Sequence, residues 1–536
     1  MSEILLVCAI VMLCCVFVNV VSRKFDMPAL LLFMALGMIF GSDGLFKIPF
    51  DNYEIMQQIS TIALVLIIFY GGFSTKWQTA KPVVKQATLL STLGVVLTAL
   101  LTAGFCYYVL KIDFAESFLI GAVISSTDAA SVFAILRSKN MNLKYSTAPL
   151  LELESGSNDP FSYMLTIIGI ALLTGKSVDY VPLLFVKQIV LGILIGVVSA
   201  LAGIWVMKKN RIVTEGIRTI FIMAIVFLAF ALPDVLGGNG LLSVYIAGII
   251  LGNAKIKNTN VLVNFFDGLT SLAQLLIFFM SGLTSFPHKM PEIIVPATLI
   301  ALFLTFVARP VAVFSLMLPF KSTISQCILV SWAGLRGAAS IVFAVLVVAS
   351  VSTMPKYDLF HIVFLISLLS VSFQGTMLPI VAKWTNMIDE NSDVRKTFND
   401  YQEKSALSLI QILVNEEHNW ANKSLKDIAL PHDTLALLLK RDEKDIVPKG
   451  NTVLQTGDTL VLSVPVYNSE DDVELEEMVI SKNHSWNNKL ISEIDLPKNL
   501  LIVSINRDGD NIIPRGNTKF YEDDIVVVFK QPESAQ

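Results

Sequence analysis

Long apolar stretches alternate with short charged segments over the first 385 residues of this chain. A helix needs about 20 mainly apolar residues to cross a bilayer, and fewer where a break divides the span into two half-helices. On that rule the chain is an all-α polytopic membrane protein over residues 1–385. The pattern predicts thirteen transmembrane helices, near residues 3–22, 27–41, 55–73, 83–110, 114–136, 155–174, 181–207, 216–233, 239–252, 264–285, 292–319, 324–350 and 358–384.

The composition agrees with a membrane protein, because 54% of the residues are hydrophobic and only 16% are charged. An ordinary soluble domain is about 25% charged. The net charge of −4 and the absence of a basic tract predict no nucleic-acid partner. The five cysteines lie in apolar runs and the five histidines are scattered, without metal-ligand or catalytic spacing. We therefore predict no cofactor and no enzyme activity.

Basic residues are distributed unequally between alternate loops, which predicts the orientation of the chain. One set of loops holds fifteen of them: Arg23, Lys24, Lys76, Lys81, Lys85, Arg137, Lys139, Lys144, Lys208, Lys209, Arg211, Arg218, Lys255, Lys257 and Lys321. The other set holds five: Lys47, Lys111, Lys176, Lys289 and Lys356. The first set is predicted to face the cytoplasm, which places the N-terminus outside and the C-terminal region inside.

After about residue 386 the sequence becomes charged and alternates between apolar and polar positions, as in a small α+β domain. A repeat with an offset of 66 relates Tyr401, Leu409, His418, Trp420, Lys423, Pro431, Leu435, Asp442, Pro448, Gly450, Asn451, Thr452 and Asp458 to Tyr467, Leu475, His484, Trp486, Lys489, Pro497, Leu501, Asp508, Pro514, Gly516, Asn517, Thr518 and Asp524. Each copy is predicted to form a strand, a short helix and hairpin strands. We expect a linker over 386–399 and two copies of one module, over 400–466 and 467–536.

Two polar segments interrupt neighbouring apolar runs. Residues 125–128 (SSTD) lie inside the fifth span, and residues 154–160 (ESGSNDP) open the sixth. A charge at the bilayer centre costs about 2.5–3.5 kcal/mol, so such residues usually line an ion or proton pathway. A similar break is predicted at residues 334–337 (GLRG) in the twelfth span. Because the breaks are seven spans apart, they predict two inverted six-span halves, spans 1–6 and 8–13.

These polar residues can bind a bare monovalent cation. The carbonyls freed near Thr127, the hydroxyl of Ser155 and the carboxylates of Asp128 and Asp159 can replace its hydration shell. Asp159 can bind a proton instead, because an apolar environment disfavours a charged carboxylate. Competition for one site gives coupled exchange, and with Asn158 rather than a second acid beside Asp159 we expect it to be electroneutral. In the alternative interpretation, Asp159 is a helix N-cap at a wet interface.

Further charged residues lie in the predicted spans. Glu154 and Arg336 are expected to form a structural ion pair, since each would be costly to bury alone. A direct transport role for Arg336 is the alternative. Arg309 is expected to be a structural partner or an interface residue, and Glu152 can lie in a loop.

At these residues the chain resembles the NhaP-type monovalent cation:proton antiporters, in particular the bacterial potassium/proton branch described as cell-volume regulation proteins. The matching segments are 126–130 (STDAA), 151–160 (LELESGSNDP), 239–253 (NGLLSVYIAGIILGN), 265–274 (FFDGLTSLAQ) and 331–337 (SWAGLRG). The tail resembles two copies of the RCK C-terminal (TrkA-C) module. One departure is notable: sodium-type relatives have a glutamate near the end of span three, where residues 69–72 read FYGG.

The resemblance implies a homodimer in the bacterial cytoplasmic membrane. A core of spans 4–6 and 11–13 would move like an elevator against a dimerising domain of spans 1–3 and 8–10. It implies that K⁺ or Na⁺ binds at Asp128 and Asp159 with Thr127, Ser155 and Asn158, beside a Glu154–Arg336 bridge. It also implies a small regulatory ligand on the tail, such as a nucleotide, although the sequence has no Gly-x-Gly-x-x-Gly loop.

Potassium/proton antiport regulated by the cytoplasmic tail is the leading functional hypothesis, and sodium/proton antiport by the same fold is the nearest alternative. The tail also suggests a gated potassium channel, but the chain has no Thr-Val-Gly-Tyr-Gly-like filter. A membrane receptor that transports nothing is a third possibility.

Overall fold

The computed structural model divides the chain into two compact units, residues Met1–Gln402 and Glu403–Gln536. It describes all residues except 1, 26–27, 49, 51, 140, 176–180, 210–214, 255, 257–258, 352–357, 390–406, 417, 429, 431–433, 442–443, 466–474, 483, 495, 498–499, 508–509, 513 and 531–536. Most of the predicted linker therefore lies outside the described residues. So do Lys176, Arg211, Lys255, Lys257 and Lys356 of the charge pattern and Tyr401, Pro431, Asp442, Tyr467 and Asp508 of the repeat.

The first unit is helical. Its α-helices are α1 Ser2–Phe25, α2 Ala29–Phe40, α3 Tyr53–Ser74, α4 Trp77–Ala80, α5 Val84–Leu89, α6 Val95–Tyr108, α7 Phe114–Val123, α8 Ala129–Ser138, α9 Thr147–Leu173, α10 Val181–Lys209, α11 Glu215–Val235, α12 Gly240–Gly252, α13 Thr259–Leu283, α14 Met290–Phe303, α15 Arg309–Met317, α16 Ile324–Trp332, α17 Ala338–Ser350, α18 Leu359–Leu369 and α19 Thr376–Trp384. Three π-helical turns, Leu90–Gly94, Leu304–Ala308 and Ser370–Gly375, connect α5 to α6, α14 to α15 and α18 to α19.

Within the described residues, seven helical segments are long and apolar enough to cross a membrane: Tyr53–Ser74, Trp77–Tyr108, Val181–Lys209, Gly216–Val235, Val261–Leu283, Pro287–Phe320 and Leu359–Trp384. Shorter apolar helices accompany them, namely Ala9–Ser22, Ala29–Phe40, Phe114–Val123, Gly240–Gly252 and Ala338–Ser350. The prediction of a polytopic helical membrane domain is therefore confirmed.

The helices pack in two groups, and each group combines helices from the first and the second half of the helical unit. In one group, α2 packs on α13 and α3 packs on α12; in the other, α7 packs on α6 and α9, and α14 packs on α18. The α3–α12 contact requires a glycine at 248, because a Cβ there would lie 2.6 Å from the carbonyl oxygen of Phe69. Several helices begin at side-chain caps; Asn239 Oδ1, for example, accepts the amide of Leu242 at 2.9 Å.

The helix that carries Asp159 begins earlier than predicted. The sixth span was expected to begin near residue 155, but α9 begins at Thr147 and includes Glu152, which is therefore not in a loop. Asp159 lies near the middle of this 27-residue helix, directly before Pro160. The N-cap interpretation of Asp159 is therefore wrong. The helix tolerates the early polar residues because other helices of the unit cover them.

The second unit contains two four-stranded antiparallel sheets. The first has strand order β1-β4-β2-β3, with β1 Leu407–Leu413, β2 Leu435–Arg441, β3 Lys444–Ile446 and β4 Thr459–Pro465. The second has order β5-β8-β6-β7, with β5 Leu475–Val479, β6 Leu500–Arg507, β7 Asp510–Ile512 and β8 Ile525–Lys530. The predicted repeat is confirmed. Even a strand irregularity recurs, since the β2–β4 register shifts at Ala436/Leu438 and the β6–β8 register shifts at Ile502/Ser504.

The predicted short helix in each module is a single 3-10 turn, Leu425–Asp427 in the first and Ile491–Glu493 in the second. The described part of this unit is therefore β-rich rather than α+β. Main-chain hydrogen bonds join the first turn to the segment before β4, as where Lys426 N donates to Gly450 O at 2.8 Å.

Candidate ion-binding site

Two helices of the first unit are broken, and the two breaks contact each other. The first break separates α7 from α8 and includes residues 125–128; the second separates α16 from α17 over residues 333–337. The amide of Asp128 donates to the carbonyl of Leu335 at 2.8 Å. Arg336 Nη1 donates to the carbonyl of Ser126 at 2.7 Å. Each break thus satisfies backbone groups that the other leaves without a helical partner.

Asp128 is the residue that restarts the first broken helix. Its Oδ1 accepts the amide of Ser131 at 3.2 Å and its Oδ2 accepts the Ser131 hydroxyl at 2.5 Å, which is an N-cap arrangement. Gly337 of the other break lies against this carboxylate, since a Cβ on Gly337 would be 2.6 Å from Asp128 Cγ. Any larger residue at 337 would displace the acid.

The middle of α9 lies beside the first break. Ser155 Oγ donates to the carbonyl of Thr127 at 2.8 Å and accepts the amide of Ala129 at 2.9 Å. Asn158 Nδ2 donates to Thr127 Oγ1 at 2.5 Å, and Asp159 Oδ1 accepts the hydroxyl of Ser126. The structure therefore brings together all the residues predicted to bind the ion: Thr127, Asp128, Ser155, Asn158 and Asp159.

A cavity of about 330 Å³ gives access to four of these five residues, all but Asn158. Thr127, Asp128, Ser155 and Asp159 line it. Its lining also includes residues of α3, among them Tyr70 and Gly71, and residues of α13, namely Asp267, Thr270, Ser271 and Gln274. Asp159 is only 8% exposed, so its carboxylate is largely shielded from solvent where it borders the cavity.

The oxygen atoms around the cavity suit a hard monovalent cation or a proton. Carboxylate, carbonyl and hydroxyl oxygens are the ligands that hard cations prefer. Asn158 Oδ1 is buried and has no hydrogen-bond partner in the described structure, so it is one further acceptor. With two carboxylates close together, binding of one cation or one proton relieves the repulsion between them.

Three buried charged residues lie next to the site, and their pairing differs from the prediction. Glu154 was expected to pair with Arg336, but Glu154 Oε1 lies 2.6 Å from Arg309 Nη2, at ion-pair distance without hydrogen-bond alignment. Arg336 bonds to the first break instead, while remaining close enough to interact electrostatically with both other residues. Arg309 begins α15 directly after a π-helical turn. Gly334 allows its approach, because a Cβ there would be 2.8 Å from Arg309 Nε.

Some residues that the structure places at the site are not among those predicted from the sequence. Ser126 contacts Asp159, and Glu152, Asp267 and Thr270 line the cavity. The sequence did indicate a role for Ser126, since it lies in the polar segment that interrupts the fifth span. For Asp267 and Thr270 no local signal distinguishes a cavity-lining residue from an ordinary polar residue near a helix end.

Comparison with known proteins agrees with this architecture. Residues 9–384 match the family described as sodium/hydrogen exchanger, transmembrane. The chain belongs to this family. Residues 409–466 and 475–536 match the TrkA-C domain, so the predicted tandem modules are also confirmed. The family consists of transporters and not of enzymes, as predicted.

Individual relatives cover most of the chain. A K⁺/H⁺ antiporter NhaP of Alkalimonas amylolytica is 30% identical over 464 residues, 85% of this chain and 80% of that protein. A K⁺/H⁺ antiporter NhaP2 of Shewanella baltica is 31% identical over 456 residues, 83% of this chain and 78% of that protein. The structure of the sodium proton antiporter MjNhaP1 of Methanocaldococcus jannaschii at pH 8 is similar in fold, with a TM-score of 0.62 and 23% identity, covering 71% of this chain and 99% of that one.

Proposed function

We propose that this protein exchanges K⁺ for H⁺ at the site formed by Asp159 and Asp128. The observation that carries the proposal is the position of Asp159, in the middle of α9 and at the wall of a cavity that also reaches Asp128, Thr127 and Ser155. The two relatives named as K⁺/H⁺ antiporters support this choice of ions.

Competition for one site couples the two ions. In the cation-bound form, the carboxylates of Asp159 and Asp128 and the oxygens of Thr127, Ser155 and Asn158 surround the ion. When the ion leaves, a proton takes its place on Asp159, and the Ser126 hydroxyl holds the carboxylate in position in both forms. Only a loaded site crosses, because an empty site would carry its charge into the apolar interior.

The stoichiometry follows from the neighbour of Asp159. Asn158 is neutral, and its amide is already bonded to Thr127 Oγ1 at 2.5 Å. One proton therefore balances one K⁺, which makes the exchange electroneutral. The rate should then be insensitive to an imposed membrane potential.

The helices support a transport architecture of thirteen spans in two inverted halves, each with one broken helix. In this proposal α4–α9 and α14–α19 form the mobile core, and α1–α3 and α11–α13 form the scaffold and the homodimer contact. The distribution of basic residues supports an outside N-terminus and a cytoplasmic tail in a bacterial inner membrane. The cavity then opens towards the cytoplasm, because it is lined by the end of α3 and the first half of α13.

The cavity also favours K⁺ over Na⁺. The α3 residues that line it, including Tyr70 and Gly71, carry no charge, and a Cβ added to Gly71 would meet nothing within 4 Å. Open space beside an uncharged α3 wall suits the larger ion, which loses its hydration shell more easily; the other acids that line the cavity, Glu152 and Asp267, lie on α9 and α13. MjNhaP1, named as a sodium proton antiporter, makes Na⁺/H⁺ exchange by the same fold the second candidate.

Proteoliposomes with an internal pH-sensitive dye test the proposal. Adding K⁺ to the full chain should move protons, and Asp159→Asn and Asp128→Asn should each abolish the movement while the protein remains folded. Glu54→Gln, at an exposed position at the start of α3, is the control and should exchange normally. Proton movement with Na⁺ but not K⁺ would favour the second candidate. Unchanged exchange by Asp159→Asn would refute both.

A further inference from the structure

The end of the helical unit is bonded to the loop between α8 and α9. We call residues 141–146 the α8–α9 loop and Asn386–Asp389, which follow α19, the exit segment. Two main-chain hydrogen bonds join them, from Lys144 N to Met387 O at 2.9 Å and from Asp389 N to Asn142 O at 2.9 Å; together they form an antiparallel bridge between Leu143 and Ile388.

Side chains and backbone geometry fix this contact. Lys144 Nζ donates to the carbonyl of Asn386 at 3.0 Å. Leu143 is 5% exposed and Met387 is 1% exposed, so both lie in the core of the unit. Tyr145 (φ +57°) has a left-handed backbone conformation, which is costly for a bulky side chain and persists where surrounding contacts hold it. Asn386 (φ +55°) has the same conformation, which asparagine adopts readily in turns. The pairing is therefore a defined structural joint.

The joint is connected to the ion site through short rigid elements. The loop leads back into α8, which Asp128 caps, and forward into α9, which carries Ser155 and Asp159. It also holds the second broken helix, because Gln326 Nε2 of α16 donates to the Tyr145 carbonyl at 3.3 Å. A displacement of the loop would therefore move both carboxylates and the element that contacts them.

We propose that the C-terminal unit regulates transport through this joint. The exit segment continues the last turn of α19, since Met387 N donates to Ala382 O at 3.0 Å, and the chain then runs on to the second unit, which begins at Glu403. A pull or twist on the exit segment acts on the α8–α9 loop and, through α8 and α9, on the geometry of the ion site. The inference rests on the proposed exchange activity.

The experiment compares exchange rates of the full chain and of a chain ending at Gln402, and defines the tail effect as the ratio of the two rates. Allosteric coupling of ordinary size changes a rate or affinity about fivefold or more, so we expect a tail effect of that size in the parent protein. Lys144→Pro removes the amide donor to Met387 and should bring the ratio close to one. Lys144→Met removes only the side-chain bond and should reduce the ratio partially.

Lys383→Met is the matched control. Like Lys144→Met, it removes one lysine charge near the end of α19. The described structure has no side-chain hydrogen bond from Lys383 to the α8–α9 loop. Its tail effect should equal that of the parent. The chain ending at Gln402 is made for each variant, so a change in the basal exchange rate cancels in the ratio.

A disulfide across the joint tests whether Lys144→Pro acts by breaking the joint or by a general loss of structure. Leu143→Cys with Ile388→Cys, in a chain whose native cysteines are replaced by alanine, places two thiols across a β-bridge, where the backbones are close enough for a disulfide. Oxidation should restore the tail effect in the Lys144→Pro background and reduction should remove it again.

The outcomes are distinguishable. A parent ratio of one, or a full tail effect in Lys144→Pro, overturns the inference and leaves the exchange activity established. Absence of K⁺-driven exchange in every chain overturns the proposed function, and the inference with it. A Lys144→Pro ratio of one that the oxidised crosslink does not restore also overturns the inference.

Discussion

The amide of Asp128 donates a hydrogen bond to the carbonyl of Leu335, 2.8 Å away, although the two residues belong to different broken helices. This bond holds the N-cap residue of α8 against the second break. Because Gly337 is in contact with the same carboxylate, the position of Asp128 depends on residues more than 200 positions away in the chain. The ion site is therefore a product of both breaks.

Gly337→Ala should impair transport without unfolding the protein. The added methyl group would overlap the carboxylate of Asp128, and overpacking of a filled site costs about 1–3 kcal/mol. We expect K⁺-driven exchange to fall about tenfold or more. Gly104→Ala is the control, since a Cβ there meets nothing within 4 Å, and it should exchange normally. Normal exchange by Gly337→Ala would show that the two breaks separate in the working protein.

Arg309→Ala should destabilise the helical unit. Removing Arg309 leaves Glu154 buried without its direct partner, and breaking a buried ion pair in this way costs about 3–5 kcal/mol. Thermal unfolding in detergent should show a clearly lower Tm, whereas Lys85→Ala, at an exposed position, should leave the Tm unchanged. Combining Arg309→Met with Glu154→Gln should recover part of the loss. If Arg336→Ala lowered the Tm and Arg309→Ala did not, Arg336 rather than Arg309 would be the partner of Glu154.

Gly71→Glu should shift the ion preference from K⁺ towards Na⁺. The side chain would enter open space in the cavity and add a carboxylate on α3, whose lining residues carry none. A charge a few ångströms from a cation contributes about 1–4 kcal/mol in a partly aqueous setting. We expect the ratio of half-saturating Na⁺ to K⁺ concentrations to fall about tenfold. Gly71→Gln has the same length without the charge, so an equal shift in that variant would assign the effect to volume.

The C-terminal modules should lose stability in acid at two equivalent ion pairs. Arg441 donates to both carboxylate oxygens of Asp458, at 2.7 and 2.6 Å, and Arg507 donates to Asp524 at 2.7 and 2.8 Å. The Arg441 hydrogen bonds lower the pKa of Asp458 below its usual 3.8. Burial opposes this at Asp524, but the bonds from Arg507 and the Tyr521 amide prevail and lower its pKa as well.

A carboxylate with a lowered pKa stabilises the fold above its ordinary value, and this contribution is lost as the pH falls through the lowered one. The urea midpoint of a fragment spanning 403–536 should therefore decrease below about pH 4. Arg441→Ala and Arg507→Ala should each cost about 2 kcal/mol at neutral pH, because a buried carboxylate loses its donor. Asp458→Asn combined with Asp524→Asn should flatten the acid dependence. If the urea midpoint of that double variant still decreased with falling pH as in the parent, other acidic residues would be responsible for the decrease.

The sequence by itself determined the features that depend on local composition and periodicity. Apolar runs predicted the helical membrane domain, the polar segments at 125–128 and 334–337 predicted the two breaks, and the 66-residue offset predicted two modules whose strand registers match. Helix breaking and strand alternation are local preferences of the residues themselves, so they can be read without knowing the partners.

Only the tertiary structure decided which distant groups meet. Glu154, Arg309 and Arg336 are all visible as charges in apolar segments, but their spacing does not show which arginine reaches the carboxylate. The early start of α9, which moved Asp159 from a helix end to its middle, depends on burial by neighbouring helices, as does the joint between Leu143 and Ile388. These contacts arise from non-local packing, which selects one among several pairings that the sequence allows.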